Sequence, residues 1–274
     1  MMLSALAFFV LTAAKVDMDV VYSRPPGFDL KMDIYYPEPS VATKAAVVVF
    51  HGGAWMFGDK SEMRDVCQSF AKQGILAAAV QYRLAPKTRW PGFYDDGQTA
   101  VRYLRENAAK YGIDPKRIGA CGASAGGHVA LLLGFTDTRD PKPKEYPRQS
   151  SRVSAVIDVF GPSDMTRDFP KSYDMLFMAI LGKPRAQASA EITAASPVSF
   201  IDRRSAPVFI IHGKADPMVP VAQSQWLEQK LKSNGTQCVC RYIDGLKHEM
   251  PASNAEVGRA VQDAIAWLKT QLTK

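Results

Sequence analysis

One stretch limits the folds open to this chain: Gly119-Ala120-Cys121-Gly122-Ala123-Ser124-Ala125-Gly126-Gly127-His128. Within it, the five residues from Gly122 to Gly126 fit the pattern G-x-S-x-G. A strand is expected over 117–121 and a helix over 125–133, so the turn between them has to be very tight. The serine at its apex then takes strained backbone angles. Glycines two before and two after it remove side chains that would collide there. The hydroxyl is left exposed, and the next amide stands at a helix N-terminus, where it can bind an oxyanion. An ordinary serine in a glycine-rich turn is the alternative, and the rest of the chain has to decide between the two.

The rest of the chain alternates. Apolar runs over 45–50, 75–82, 117–121, 153–160 and 207–211 read as strands, several of them buried on both faces. Helical patterns fall at 61–73, 94–111, 125–133, 220–233 and 256–272, the fourth with Trp226, Leu227 and Leu231 facing inward. A last strand is expected over 237–243. Two earlier strands, 17–22 and 29–36, flank Pro25-Pro26-Gly27, and the second alternates like half of an antiparallel edge pair. The fold class expected is α/β, a mostly parallel sheet of about eight strands with helices on both faces. Residues 165–199 break the rhythm. They are rich in Met, Phe, Tyr and Pro, among them Phe169, Tyr173, Met175, Phe177 and Met178. Short helices laid over the strand ends, a small cap, are expected there. At 274 residues and 47% hydrophobic, a single domain over 15–274 accounts for the chain.

Net charge is +7, but the basic residues are scattered and form no stripe interleaved with aromatics, which argues against nucleic acid. The four cysteines, Cys67, Cys121, Cys238 and Cys240, give neither a disulfide framework nor a metal-ligand spacing. The first 14 residues are apolar and end in small side chains, as in a secretory signal cleaved near Ala14, with a hydrophobic first helix as the alternative. A secreted or periplasmic location is expected. The run is too short to span a bilayer, and no stable membrane insertion is expected.

A serine hydroxyl needs a base within reach, and the base needs an orienting acid. In an α/β-hydrolase the chain order is Ser, Asp or Glu, His. After Ser124, Asp216 stands just past a buried strand and His248 in the loop after the next one. All three therefore fall at the carboxyl edge of one sheet, where open α/β sheets bind ligands. Of the other histidines, His51, His128 and His212, none follows the acid. Asp244 and Glu249 are rival acids. The oxyanion donors expected are the amides of Ala125 and, from the loop His51-Gly52-Gly53-Ala54-Trp55, of Gly53 and Ala54.

Taken together, His-Gly-Gly-Ala-Trp with Gly58-Asp59-Lys60, Gln81-Tyr82-Arg83-Leu84-Ala85-Pro86, Tyr111-Gly112-Ile113-Asp114-Pro115, the serine elbow, and His212-Gly213-Lys214-Ala215-Asp216 resemble the hormone-sensitive-lipase-like esterases. The Gly-Asp-Lys variant is most similar to their carbohydrate-acting branch, the bifunctional feruloyl and acetylxylan esterases. The chain departs at Ala54, where many relatives carry a third glycine, and in its short cap. The resemblance implies two-step hydrolysis of a small-molecule or polysaccharide ester through an acyl-enzyme, with no cofactor and no metal. An arylformamidase, a prolyl-oligopeptidase-like peptidase and a binding module on a hydrolase fold are the competing functions. Trp55, Phe57, Trp90, Met175, Phe177 and Met250 are candidates for an acyl or sugar pocket, with core or cap packing the alternative for each.

Overall fold

A computed structural model of the chain describes residues 15–274, so the expected leader over 1–14 lies outside the described residues. Among the described residues eight strands form one sheet: β1 (Val16–Ser23), β2 (Leu30–Tyr35), β3 (Ala46–Phe50), β4 (Leu76–Val80), β5 (Ile118–Ala123), β6 (Val156–Val159), β7 (Val208–Gly213) and β8 (Cys238–Ile243). Their order across the sheet is β1-β2-β4-β3-β5-β6-β7-β8. β2 pairs antiparallel with both β1 and β4, and every other pairing is parallel. The helices are α1 (Arg64–Lys72), α2 (Gly92–Glu106), α3 (Ala108–Tyr111), α4 (Ala125–Phe135), α5 (Asp174–Leu181), α6 (Ser189–Ala194), α7 (Ala222–Ser233) and α8 (Ala255–Thr273).

Strand side chains alternate between faces, and each face of this sheet meets its own helices. Val47, Val49, Ala77, Cys121 and Phe209 meet Phe70 of α1 and Leu268 of α8. Val48, Phe50, Ala78, Ala120 and Ile210 meet Leu104 of α2, Leu132 of α4 and Leu231 of α7. Cover on both sides is why β3 and β4 are apolar at every position and buried throughout.

Boundaries shift where local chemistry intervenes. The helix expected over 61–73 opens as a 3-10 turn, Lys60–Met63, before α1. Asp59 caps that turn by accepting from the Ser61 amide at 2.9 Å, while Glu62 accepts from the Asp59 amide at 3.0 Å. The helix expected over 94–111 breaks at Asn107, whose side-chain amide donates to the Tyr103 carbonyl at 2.8 Å. Trp226 is a correction, since it faces outward and is 42% exposed. The buried stripe of α7 runs through Gln223, Ser224, Leu227 and Leu231. Trp226 stands one position off it, donating its indole N–H to Asp168 at 3.1 Å under the Arg167 guanidinium. Residues 165–199 hold α5, α6 and short 3-10 turns at Lys171–Tyr173 and Arg185–Gln187.

Candidate active site

The chain leaves β5 directly into Ser124, whose φ of 54° and ψ of −120° lie in a region that L-residues avoid. Such a conformation costs about 1–3 kcal/mol. The Ser124 amide is held by the Val159 carbonyl at 2.9 Å, and its own carbonyl accepts from the His128 amide at 3.0 Å. A methyl group on Gly126 would press into the Phe50 and His51 carbonyls, and one on Gly122 into the Gly126 backbone. α4 is buried along its whole length. Each of Val129, Leu131, Leu132 and Leu133 contributes about 1.5–3 kcal/mol by that burial, so packing of the helix outweighs the strain of the turn.

The loops after β7 and β8 carry Asp216 and His248 to the same edge. His248 Nδ1 lies 2.7 Å from Asp216 Oδ2, and its Nε2 lies 2.9 Å from Ser124 Oγ. A carboxylate only accepts, so Nδ1 carries the hydrogen and Nε2 of the neutral ring accepts from the serine. Asp216 Oδ1 accepts from the Met218 and Val219 amides at 2.8 and 2.9 Å. Burial pushes the Asp216 carboxyl up. Hydrogen bonds from His212, His248 and the two amides outweigh this and hold it well below the usual carboxylate range. Of the rival acids, Asp244 is exposed and paired with Lys214 at 2.9 Å. Glu249 is exposed.

His212 was legible only as a polar residue at a strand end. It is fully buried, and its Nε2 lies 2.8 Å from the Val219 carbonyl and 3.3 Å from Asp216 Oδ2. The carbonyl puts the hydrogen on Nε2, which leaves Nδ1 to accept from Ser224 Oγ at 2.7 Å. Phe160 packs against both rings, with its centroid 4.3 Å from that of His248 and 6.2 Å from that of His212.

The loop after β3 lies against Ser124 through Gly52. Gly53, Ala54 and Trp55 all have positive φ, at 103°, 52° and 58°. The Gly53 carbonyl accepts from the Met56 and Phe57 amides, each at 2.9 Å, and the Trp55 carbonyl from the Ala85 amide at 2.8 Å. These bonds turn the carbonyls into the protein and leave the left-handed bend rigid. Two further contacts anchor it. His51 stacks on Tyr82 at 4.3 Å, and Tyr82 donates its hydroxyl to the His51 carbonyl at 2.9 Å. At the far end, buried Lys60 reaches Asp33 of β2 at 2.6 Å and Asp19 at 3.1 Å. Ala125 opens α4 on the other side of Ser124.

Ser124 and His248 open on an apolar cavity of about 50 Å³, bounded by Ala54, Trp55, Met165, Phe169, Tyr173, Leu176, Phe177, Met218 and Val219. Of the six pocket candidates, Trp55 and Phe177 are on its wall. Phe57 and Met175 are 67% and 78% exposed. Leu176 and Phe177 take the inward side of α5, which turns Met175 out. Trp90 stacks on Tyr94 at 5.6 Å. Met250 packs against the core on the α1 and α8 side of the sheet. Met218 and Val219 are placed there by the two amides that Asp216 binds, contacts that no sequence pattern marks. A larger groove of about 440 Å³ lies between β8 and α8, lined by Arg241, Arg259 and Asp263, and holds neither Ser124 nor His248.

Among the described residues no cluster of three or more His, Cys, Asp or Glu stands close enough to hold a metal, and no helix is long and apolar enough to cross a membrane. Cys238 and Cys240 are free thiols on one face of β8, 3.7 Å apart.

Residues 32–231 match the family model described as BD-FAE. The chain is similar to Esterase LipC of Mycobacterium tuberculosis, 30% identical over 209 residues that make up 74% of this chain and 52% of LipC. It spans about half the length of the curated relatives it matches. Among solved structures it is similar to a truncated form of a carbohydrate esterase from gut microbiota, with TM-score 0.83 and 27% identity, covering 95% of this chain and 97% of that one. It is also similar to a thermophilic esterase of the planctomycete Thermogutta terrifontis, solved with butyrate bound, with TM-score 0.80, 28% identity and 93% of each chain covered. The fold is that of these α/β-hydrolase esterases.

Proposed function

Because this chain belongs to the BD-FAE family, we propose that it is a serine carboxylesterase that removes short acyl groups from carbohydrate hydroxyls. The observation that carries this reading is the relay from Asp216 through His248 to Ser124, joined at 2.7 and 2.9 Å and opening on a small apolar cavity.

The chemistry follows from the atoms. His248 Nε2 takes the Ser124 proton as Oγ attacks the ester carbonyl. The oxyanion that forms is met by the amides of Ala125, Gly53 and Ala54, donors that act most strongly on the transition state. His248 then gives its proton to the leaving alcohol, and the acyl group stays on Ser124. A water that loses its proton to the same nitrogen attacks the acyl-enzyme, the acid is released, and Ser124 Oγ leaves with that proton returned from Nε2. Asp216 keeps the Nδ1–H tautomer and stabilises the charged ring.

Acyl preference rests on the cavity. The cavity is small and its wall is largely aromatic and aliphatic, which suits a short acyl chain of the acetyl to butyryl class. Phe169 and Phe177 on the wall disfavour a bulky aromatic acyl group such as feruloyl. Carbohydrate as the alcohol is supported by the name of the gut-microbiota neighbour.

The test is a substrate panel: p-nitrophenyl acetate, butyrate and octanoate, acetylated xylan, methyl ferulate, N-formylkynurenine and a prolyl amide. Turnover is expected on acetate and butyrate, steeply less on octanoate, and measurable on acetylated xylan. Ser124→Ala should lower kcat by about 10⁴-fold or more. A parent inert on every ester sinks the esterase reading. Preference for methyl ferulate sinks the short-acyl assignment, and preference for the formamide or the prolyl amide moves the activity to another class.

A further inference from the structure

His128 belongs to neither the relay nor the cavity wall, yet it joins the parts that surround them. It stands one turn into α4 after Ser124 and is 1% exposed. Its Nδ1 lies 3.3 Å from the Trp55 indole nitrogen, and its Nε2 lies 2.6 Å from the Ala195 carbonyl. An indole N–H only donates and a carbonyl only accepts. The ring therefore carries its hydrogen on Nε2 and keeps an open lone pair on Nδ1, so the site admits one neutral tautomer. The two rings meet edge to face, 5.1 Å apart.

Both attachments lead to the site. Trp55 follows Ala54, and the two share the left-handed region that L-residues avoid. The Trp55 carbonyl is fastened by the Ala85 amide, and the indole bond to His128 is its second fastening. On the other side, Ala195 precedes Ser196, whose hydroxyl accepts from the amide of Met165 on the cavity wall at 2.8 Å. α4 itself begins with the Ala125 amide.

We propose that His128 is a positioning residue. Its ring pins Trp55, and through it the Gly53 and Ala54 amides, in fixed register with the Ala125 amide, so that the three donors converge on one oxyanion. The proposal rests on the esterase reading above. His128 does not touch the reacting atoms. Its effect is on transition-state stabilisation, and it should appear in kcat more than in KM.

Three variants separate pinning from packing. Trp55→Phe keeps an aromatic ring on the cavity wall and removes the donor along with part of the indole's volume. His128→Leu removes both hydrogen bonds. His128→Gln retains a donor for Ala195 and an acceptor for Trp55. On p-nitrophenyl acetate, Trp55→Phe and His128→Leu should lose about 10- to 100-fold in kcat with KM within about threefold of the parent, and His128→Gln should recover part of the loss. Amide hydrogen exchange over 52–57 should quicken in the first two variants and stay near the parent in the third. Parent-like kcat in Trp55→Phe and His128→Leu, with only Tm lowered, overturns the proposal and leaves His128 a packing residue. Unchanged exchange over 52–57 overturns the pin itself, and this is read without any ester. A parent inert on all esters overturns the esterase reading, and the catalytic half of the proposal with it.

Discussion

Asp216 does two jobs with one carboxylate. Oδ1 takes the Met218 and Val219 amides and closes the turn, while Oδ2 faces His248. The residue that closes the turn before Met218 thus also faces the histidine. Asp216→Asn should keep the turn, because a side-chain amide oxygen still accepts from both backbone amides. It should nonetheless lower kcat by about 10³- to 10⁴-fold, since a neutral amide no longer fixes the His248 tautomer or its charge. Steady-state kinetics alongside far-UV circular dichroism checks this, and a fully active Asp216→Asn would remove the acid from the mechanism. That Ser124, Asp216 and His248 come together could be read from the sequence, because order along the chain and glycine spacing are local signals. The side on which Phe57 or Met175 falls is not local. It depends on how a left-handed loop and a short helix meet the rest of the fold, and no periodicity encodes that.

At the scale of elements, the loop after β3 shows a limit of reading by pattern. Gly58-Asp59-Lys60 stands out in the sequence only as a likeness to other proteins. Its physical basis is that Lys60 crosses to Asp33, 27 residues earlier on β2, and both are buried. Nothing in the run of sequence around either residue announces the other. The sheet was legible by contrast, since continuous apolar runs and amphipathic helices report burial directly. A buried ion pair is a poor source of net stability, but a broken one is costly. Lys60→Met should therefore destabilise by about 3–5 kcal/mol and slacken the loop, because it leaves the buried Asp33 carboxylate with the Asp19 amide but no counter-charge. Pairing it with Asp33→Leu should restore much of the loss. Urea midpoints for the two variants decide between them. A double variant no more stable than Lys60→Met would mean that the pair holds the fold by geometry that apolar packing does not replace.

For the whole molecule, the buried titratable groups set a pH window. Burial lowers His128 to about 4, with the Ala195 carbonyl opposing only in part. In the unfolded chain the same group titrates near 6.5. As pH falls below about 6.5 the unfolded state takes up this proton first, so its contribution to stability is whole above that pH and drains away down to about 4. Asp216 acts in a lower window. Its depressed carboxyl stabilises the fold above about 3.9 and loses that contribution as pH falls further. Asp158 works the other way, because burial raises its carboxyl and so favours the folded state as pH falls toward about 4. The parent's own profile between pH 7 and 4 therefore mixes opposing slopes. The difference between parent and His128→Gln does not, since Asp158 contributes equally to both. Chemical denaturation at half-unit steps should show the variant gaining on the parent as pH falls from 6.5, by about 3 kcal/mol at pH 4. A gap that stays constant with pH would mean that His128 is charged in the folded protein, and the single neutral tautomer between Trp55 and Ala195 would be wrong.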